Sequence, residues 1–297
     1  KNSADMRARL HQLLGQFPAT LFTVVEEKTF SRLPETRTFR LTLRTDKNEA
    51  LQAWLTGPDK PWQQNPAIIY CHAHGNTYGI GAEELVAGRP ALMAPPYGQS
   101  LAQAGIVALC IDLPCFGSRA SQSESALSKD YIWHGQTLFG AMLSDLQGAI
   151  GILETIAGID KNRIGAMGLS MGATLAFWLG ALDMRIKAVA HLCCLSDLAT
   201  LVKSGAHDLH GHYMTVPGLL THFRTGEIAG LVAPRPQLAC MGDADPLTPP
   251  DAIDKALIDL RSAYARAHAA HLCQALISHN TGHKEIPEMR VAVLDFF

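Results

Sequence analysis

A serine stands between paired glycines in Gly168-Leu169-Ser170-Met171-Gly172, directly after an apolar run at residues 164–167 and ahead of the helix formers Ala173, Leu175 and Ala176. A chain that turns from strand to helix within so few residues holds its central residue in a strained conformation. The flanking glycines let strand and helix approach without Cβ clashes. Ser170 is then presented at a sheet edge, and the Met171 amide, at the positive end of the helix, points to where an acyl oxyanion would form. G-x-S-x-G alone is a weak pattern; its strand-turn-helix setting is what makes Ser170 a candidate nucleophile.

A serine hydroxyl needs a base, and the base needs a carboxylate to fix its tautomer. Two later strand ends supply both, in the chain order Ser, Asp, His expected of such a sheet. One run ends in Gly242-Asp243-Ala244-Asp245-Pro246 and another in Ser278-His279-Asn280-Thr281-Gly282-His283. Asp245 precedes a proline, which forces an extended residue and a turn, so it is the expected carboxylate, with Asp243 the fallback or a loop-fixing group. His283 follows a flexible stretch able to fold back over Ser170. His279 lies close to the strand end and suits structural hydrogen bonds. A second oxyanion amide is expected from the loop His72-Ala73-His74-Gly75-Asn76; we take the backbone N–H of Asn76, with His74 shaping the turn. His72 and His74 have no third ligand at suitable spacing, so no metal is assigned to them.

The elements that must position these groups follow from periodicity. Met6, Leu10, Leu13, Leu14 and Phe17 recur at helical spacing and stop at Pro18. Residues 36–45 alternate apolar and polar, and 51–55 form a second short run, which together read as an antiparallel edge hairpin. Beyond Pro66, short apolar runs at 67–71, 106–111, 163–167, 186–192, 237–241 and 272–277 alternate with helical stretches. That pattern specifies βαβ crossovers, and so a doubly wound α/β fold with a mainly parallel sheet. One domain is expected across residues 1–297, with a cap-like insert at about 196–236 that is too long for an ordinary connection.

These motifs, with Ile159-Asp160-Lys161-Asn162-Arg163-Ile164-Gly165 ahead of the serine and Leu247-Thr248-Pro249 behind Asp245, resemble the α/β-hydrolase superfamily. The likeness is to its dienelactone hydrolase-like and acetyl xylan esterase-like serine esterases, and it covers about residues 36–297. True dienelactone hydrolases use cysteine where Ser170 stands here. The resemblance implies carboxylic ester hydrolysis through an acyl-serine intermediate, with no cofactor.

Composition narrows the alternatives. With 25 Lys plus Arg against 27 Asp plus Glu and no basic run, the chain offers no field to gather nucleic acid or anionic lipid. Residues 164–182 carry no charge, but their glycines suit a strand, a tight turn and a buried helix better than a membrane span. The seven cysteines contain no C-x-x-C pair and read as buried free thiols. Buried free thiols belong to a reducing compartment, so we expect a cytoplasmic enzyme. In the insert, His207, Asp208, His210 and His212 read as a polar pocket lining or as ordinary surface, not as a metal site. Tyr213, Met214, Val216, Pro217, Leu219 and Leu220 read as a pocket wall, a subunit contact or core. Asp112 and Arg119 follow the run at 106–111 in a loop that, by the resemblance, borders the substrate; a solvated turn explains them equally well, and no chemistry is assigned to them. The expected partner is a small, short-acyl ester, with homo-oligomerisation left open. The rival readings are a serine peptidase of the prolyl oligopeptidase type and a hydrolase-fold binding protein that has lost catalysis.

Overall fold

The computed structural model describes residues 2–297. Nine strands form one sheet in the order β1-β2-β3-β5-β4-β6-β7-β8-β9: β1 (Phe22–Phe30), β2 (Thr36–Thr45), β3 (Ala50–Pro58), β4 (Asn65–Cys71), β5 (Val107–Ile111), β6 (Ile159–Leu169), β7 (Ile186–Leu192), β8 (Gln237–Gly242) and β9 (Cys273–Ser278). From β5 to β9 every pairing is parallel, whereas β1, β2 and β3 pair antiparallel and β3 joins β5 antiparallel. The six apolar runs all become parallel strands, because helical crossovers bury both faces of the sheet.

Alternation along the strands divides the core in two. Ile69, Cys71, Leu109 and Ala166 face a layer built from the helices Ser3–Leu14, Leu138–Thr155, Met171–Leu182 and Pro250–Arg266. Ile68, Tyr70, Cys110 and Met167 face the helices Tyr97–Gln103 and Pro287–Phe296. The uncharged stretch 164–182 is the inner part of β6, the turn at Ser170 and the buried helix Met171–Leu182. No described helix is long and apolar enough to cross a membrane.

The expected edge hairpin is instead a three-stranded meander, because β1 precedes it. This strand was hidden by its doublets Val24-Val25 and Glu26-Glu27, which break alternation. The structure absorbs them in a register shift between Val24 and Glu26, and the strand lies almost wholly in solvent. Asp112 and Arg119 also depart from expectation. Asp112 is buried and accepts from the amides of Ala82 and Ser118, each at 2.7 Å, while Arg119 is buried between Glu49 and Asp145. The solvated-turn alternative therefore fails, and the loop is a pinned junction, because two close-packed glycines, Gly81 and Gly117, bring backbone onto the carboxylate.

Candidate active site

The four loops of interest leave the C-terminal ends of β4, β6, β8 and β9, the edge where open α/β sheets gather ligand-binding residues. Ser170 sits between β6 and the helix Met171–Leu182 with φ 58° and ψ −121°, a conformation that costs a non-glycine residue energy and persists only where the surroundings enforce it. The enforcement is visible. Ser170 N–H donates to Leu192 O at 2.9 Å, and Thr174 N–H donates to Ser170 O at 2.9 Å. A Cβ on Gly172 would overlap the Cys71 carbonyl, and one on Gly168 would crowd both Cys71 and Gly172, so the end of β4 packs directly on the turn.

The loops after β8 and β9 close on each other. Asp243 N–H donates to Ser278 O and Ala244 N–H to Thr281 O, each at 3.0 Å, and a Cβ on Gly242 would strike the Thr281 carbonyl. This brings His283 Nδ1 to 2.7 Å from Asp245 Oδ2. Asp245 is 1% exposed and also accepts from Leu247 N at 2.9 Å and Thr248 Oγ1 at 3.1 Å, so its carboxylate is fixed by three donors. Because a carboxylate accepts, the imidazole carries its proton on Nδ1 and leaves Nε2 bare. Asp243 instead accepts from His279 Nδ1 and the Asn280 amide, each at 2.7 Å, at the surface.

Ser170 and His283 line one cavity, which leaves about 30 Å³ in which a water-sized group can move. Its walls are largely apolar, with Phe177, Trp178, Tyr213, Met214, Leu219 and Ile228 among them. Residues 196–236 therefore contribute a wall, and of the histidines in that segment it is His210 that reaches the cavity, with Nε2 3.0 Å from Leu247 O. Burial, the largest influence, and His283 nearby hold its imidazole below the ordinary range, against the opposing contact with Leu247. Cys193 and Cys194 also line the cavity. The thiol of Cys194 lies 3.5 Å from His191 Nδ1, and burial pushes its pKa well up, which makes it a poor nucleophile. No disulfide joins the seven cysteines, and no cluster of three metal-ligating side chains occurs among the described residues.

In the loop after β4, the Asn76 N–H donates to His74 Nδ1 at 3.0 Å. His72 is buried; it accepts from the Leu113 amide on Nε2 at 3.2 Å, and burial, the largest cause, pushes its pKa down to about 3. Sequence reasoning missed Glu124, whose carboxylate meets His74 Nε2 at 2.6 Å. The two lie 50 residues apart. No local pattern announces the pairing.

A strained serine at a helix N-terminus, sharing a cavity with an imidazole oriented by a buried carboxylate, is the arrangement that nucleophilic acyl transfer requires. Comparison with known proteins assigns the relationship. The sequence pattern of the acetyl xylan esterase family matches residues 20–207. The chain belongs to the acetyl xylan esterase family. A curated relative, the protein YtaP of Bacillus subtilis (strain 168), named as a hydrolase, is 34% identical over 293 residues, covering 99% of this chain and 98% of its own. Acetyl xylan esterase 1 from Thermoanaerobacterium sp. JW/SL YS485 shares the fold with TM-score 0.64 at 17% identity, covering 100% of this chain and 92% of that one. A glucuronoyl esterase from Solibacter usitatus superposes with TM-score 0.68 at 13% identity, covering 100% and 91%. As a member of this family the protein is a carboxylic ester hydrolase of the α/β-hydrolase fold.

Proposed function

We propose that this acetyl xylan esterase family member hydrolyses small, short-acyl esters such as acetyl esters through an acyl-serine intermediate. Ser170 attacks the ester carbonyl while His283 Nε2 takes its proton and later returns it to the leaving alcohol. Asp245 holds the imidazole in the required tautomer and stabilises the imidazolium. The amides of Met171 and Asn76 receive the developing oxyanion. The observation that carries this reading is the strained Ser170 opening into the same cavity as His283, whose Nδ1 is held by buried Asp245.

The acyl preference rests on size. One water needs at least about 10–15 Å³ of such space, so a cavity of about 30 Å³ suits an acyl group of two or three heavy atoms beyond the reacting carbon. We further read the chain as one domain whose 196–236 segment acts as a fixed cap over the acyl side, in a cytoplasmic enzyme that needs no cofactor.

Replacing Ser170 by alanine removes the nucleophile and leaves the turn's packing intact. Hydrolysis of p-nitrophenyl acetate should fall by about ten-thousand-fold or more, with an unchanged melting profile and no labelling by a fluorophosphonate probe. Activity retained in that variant would overturn the assignment.

A further inference from the structure

We propose that Glu124 and His74 form a positioning pair which presets the second oxyanion amide and ties it to the cap segment; the inference rests on the reading of Ser170 as nucleophile and the Asn76 amide as its oxyanion donor. The Asn76 N–H can donate to His74 Nδ1, at 3.0 Å, only while that nitrogen is bare. The proton must then sit on Nε2, which faces Glu124 Oε2 at 2.6 Å. A carboxylate accepts and does not donate, so Glu124 selects the tautomer that His74 needs in order to hold the turn. This is the mirror image of the His283 pair, in which the carboxylate meets Nδ1 and leaves Nε2 bare.

Glu124 has further ties. Its Oε2 accepts from Tyr78 Oη at 2.7 Å and its Oε1 from the Tyr213 amide at 2.7 Å. Burial works to raise its pKa, but the bonds from His74 and Tyr78 outweigh this and hold the carboxyl below its usual range. The His74 ring packs against Tyr78, Phe116 and Tyr213 at centroid separations of 5.2, 5.1 and 5.7 Å. The cap approaches this pair through bare backbone, since a Cβ on Gly211 would come within 2.8 Å of Glu124 Oε1 and 3.0 Å of His74 Nε2. Tyr213, whose amide Glu124 fixes, also lines the cavity beside Ser170. One carboxylate thus holds both the oxyanion turn and a wall of the acyl cavity.

The turn needs such a hold. Gly75 and Asn76 take φ 55° and 52° in succession, a left-handed run that Asn76 would leave without a fixed acceptor. His74 Nδ1 supplies it by bonding the amide two residues on, as an Asn or Asp side chain does in an Asx-turn. An oxyanion, as a charged and stronger acceptor, then draws or shares the same N–H when the tetrahedral intermediate forms.

The test uses the full chain and p-nitrophenyl acetate. His74→Ala should lower kcat by about a hundred-fold with KM within about three-fold of the parent, the signature of a transition-state donor, the Asn76 N–H, that is retained but no longer held in place. His74→Asn, whose side-chain oxygen can accept from the N–H two residues on, should recover at least about ten-fold of that loss. Glu124→Gln keeps the volume, but its NH2 must face either the Tyr213 amide or His74 Nε2. It should lower kcat by about ten-fold or more, and it carries the test if His74→Ala does not fold. Equal kcat for the alanine and asparagine variants, a loss confined to KM, or parental kcat in Glu124→Gln would each overturn the proposal. Ser170→Ala run alongside separates the two levels. If it retains turnover the site reading fails, and if only the His74 and Glu124 outcomes fail, that reading stands without this pair.

Discussion

The loops after β8 and β9 hold two imidazole–carboxylate pairs built from the same parts. His283 Nδ1 meets Asp245 and His279 Nδ1 meets Asp243, both at 2.7 Å. Their surroundings differ. The Asp245 side chain is 0% exposed and that of His283 24%, against 29% and 83% for Asp243 and His279. The inner carboxylate is fixed by Leu247 and Thr248 as well, and its histidine lines the cavity that Ser170 shares. The outer pair ties Asn280 to β8 and faces solvent. Bond length therefore does not mark the chemistry. What distinguishes the inner pair is that its carboxylate is buried among three donors and its imidazole lines the same cavity as Ser170, which is where the proposed mechanism needs a proton acceptor.

The largest effect that sharpens this contrast is expected from Asp245→Asn. The asparagine oxygen can still accept from Leu247, which leaves the NH2 facing His283 Nδ1. The imidazole then shifts its proton to Nε2 and can no longer accept from Ser170. We expect kcat on p-nitrophenyl acetate to fall by about ten-thousand-fold with the fold retained, as steady-state kinetics and thermal melting will show. A loss of ten-fold or less would mean that the buried pair is only structural.

The inner pair was legible in the sequence because each member follows a strand, and the strands were legible because burial on both faces leaves unbroken apolar runs. Pro246 separated Asp245 from Asp243, and the Asn280-Thr281-Gly282 stretch separated His283 from His279. Ser170 was the clearest of all, since Gly168 and Gly172 are imposed by contact with Cys71, a steric demand that only glycine meets. Glu124, Asp112 and Arg119 were not legible. Their partners come from distant segments, Glu124 with His74 and Tyr213, and Arg119 with Glu49 and Asp145. A charged residue destined for a buried network looks in sequence like one destined for solvent. Strand β1 was lost for the opposite reason: with neither face buried, the demand for alternation is weak and the Val-Val and Glu-Glu doublets are tolerated.

Between the two pairs lies a third state of histidine, buried and neutral. His191 accepts from Gln237 Nε2 at 3.0 Å, and burial pushes its pKa, like that of His72, down to about 3. Both groups bind fewer protons folded than unfolded below the ordinary value of 6.5. Their contribution is thus intact above that pH and is lost as the pH falls towards 3. Between pH 6.5 and 5 each should cost about 2 kcal/mol of stability. Urea unfolding at pH 7 and 5 checks this, and His191→Gln should remove about half of the pH-dependent loss that the two histidines cause. A flat profile in the parent would place these imidazoles in wetter surroundings than the fold describes.

The smallest expected effect is the sharpest control on the comparison. Asp243→Asn sits in the same loop as Asp245, two residues away, and breaks a bond of the same length. The hydrogen bond from His279, the largest cause, and that from Asn280 hold the Asp243 carboxyl below its usual range, so its contribution is present above the unfolded carboxylate value and lost as the pH falls through the lowered one. His279 is largely solvated and Asp243 partly so, however, and a surface pair of this kind contributes little after screening and side-chain ordering. At pH 7 the variant should keep kcat within about two-fold of the parent and unfold at an indistinguishable urea midpoint. The asparagine oxygen can still receive the Asn280 amide, so the loop that carries His283 stays closed. If Asp243→Asn instead approached the loss seen for Asp245→Asn, the outer pair would have to be transmitting its geometry to His283 through Asn280 and Thr281, and solvent exposure would no longer separate the two.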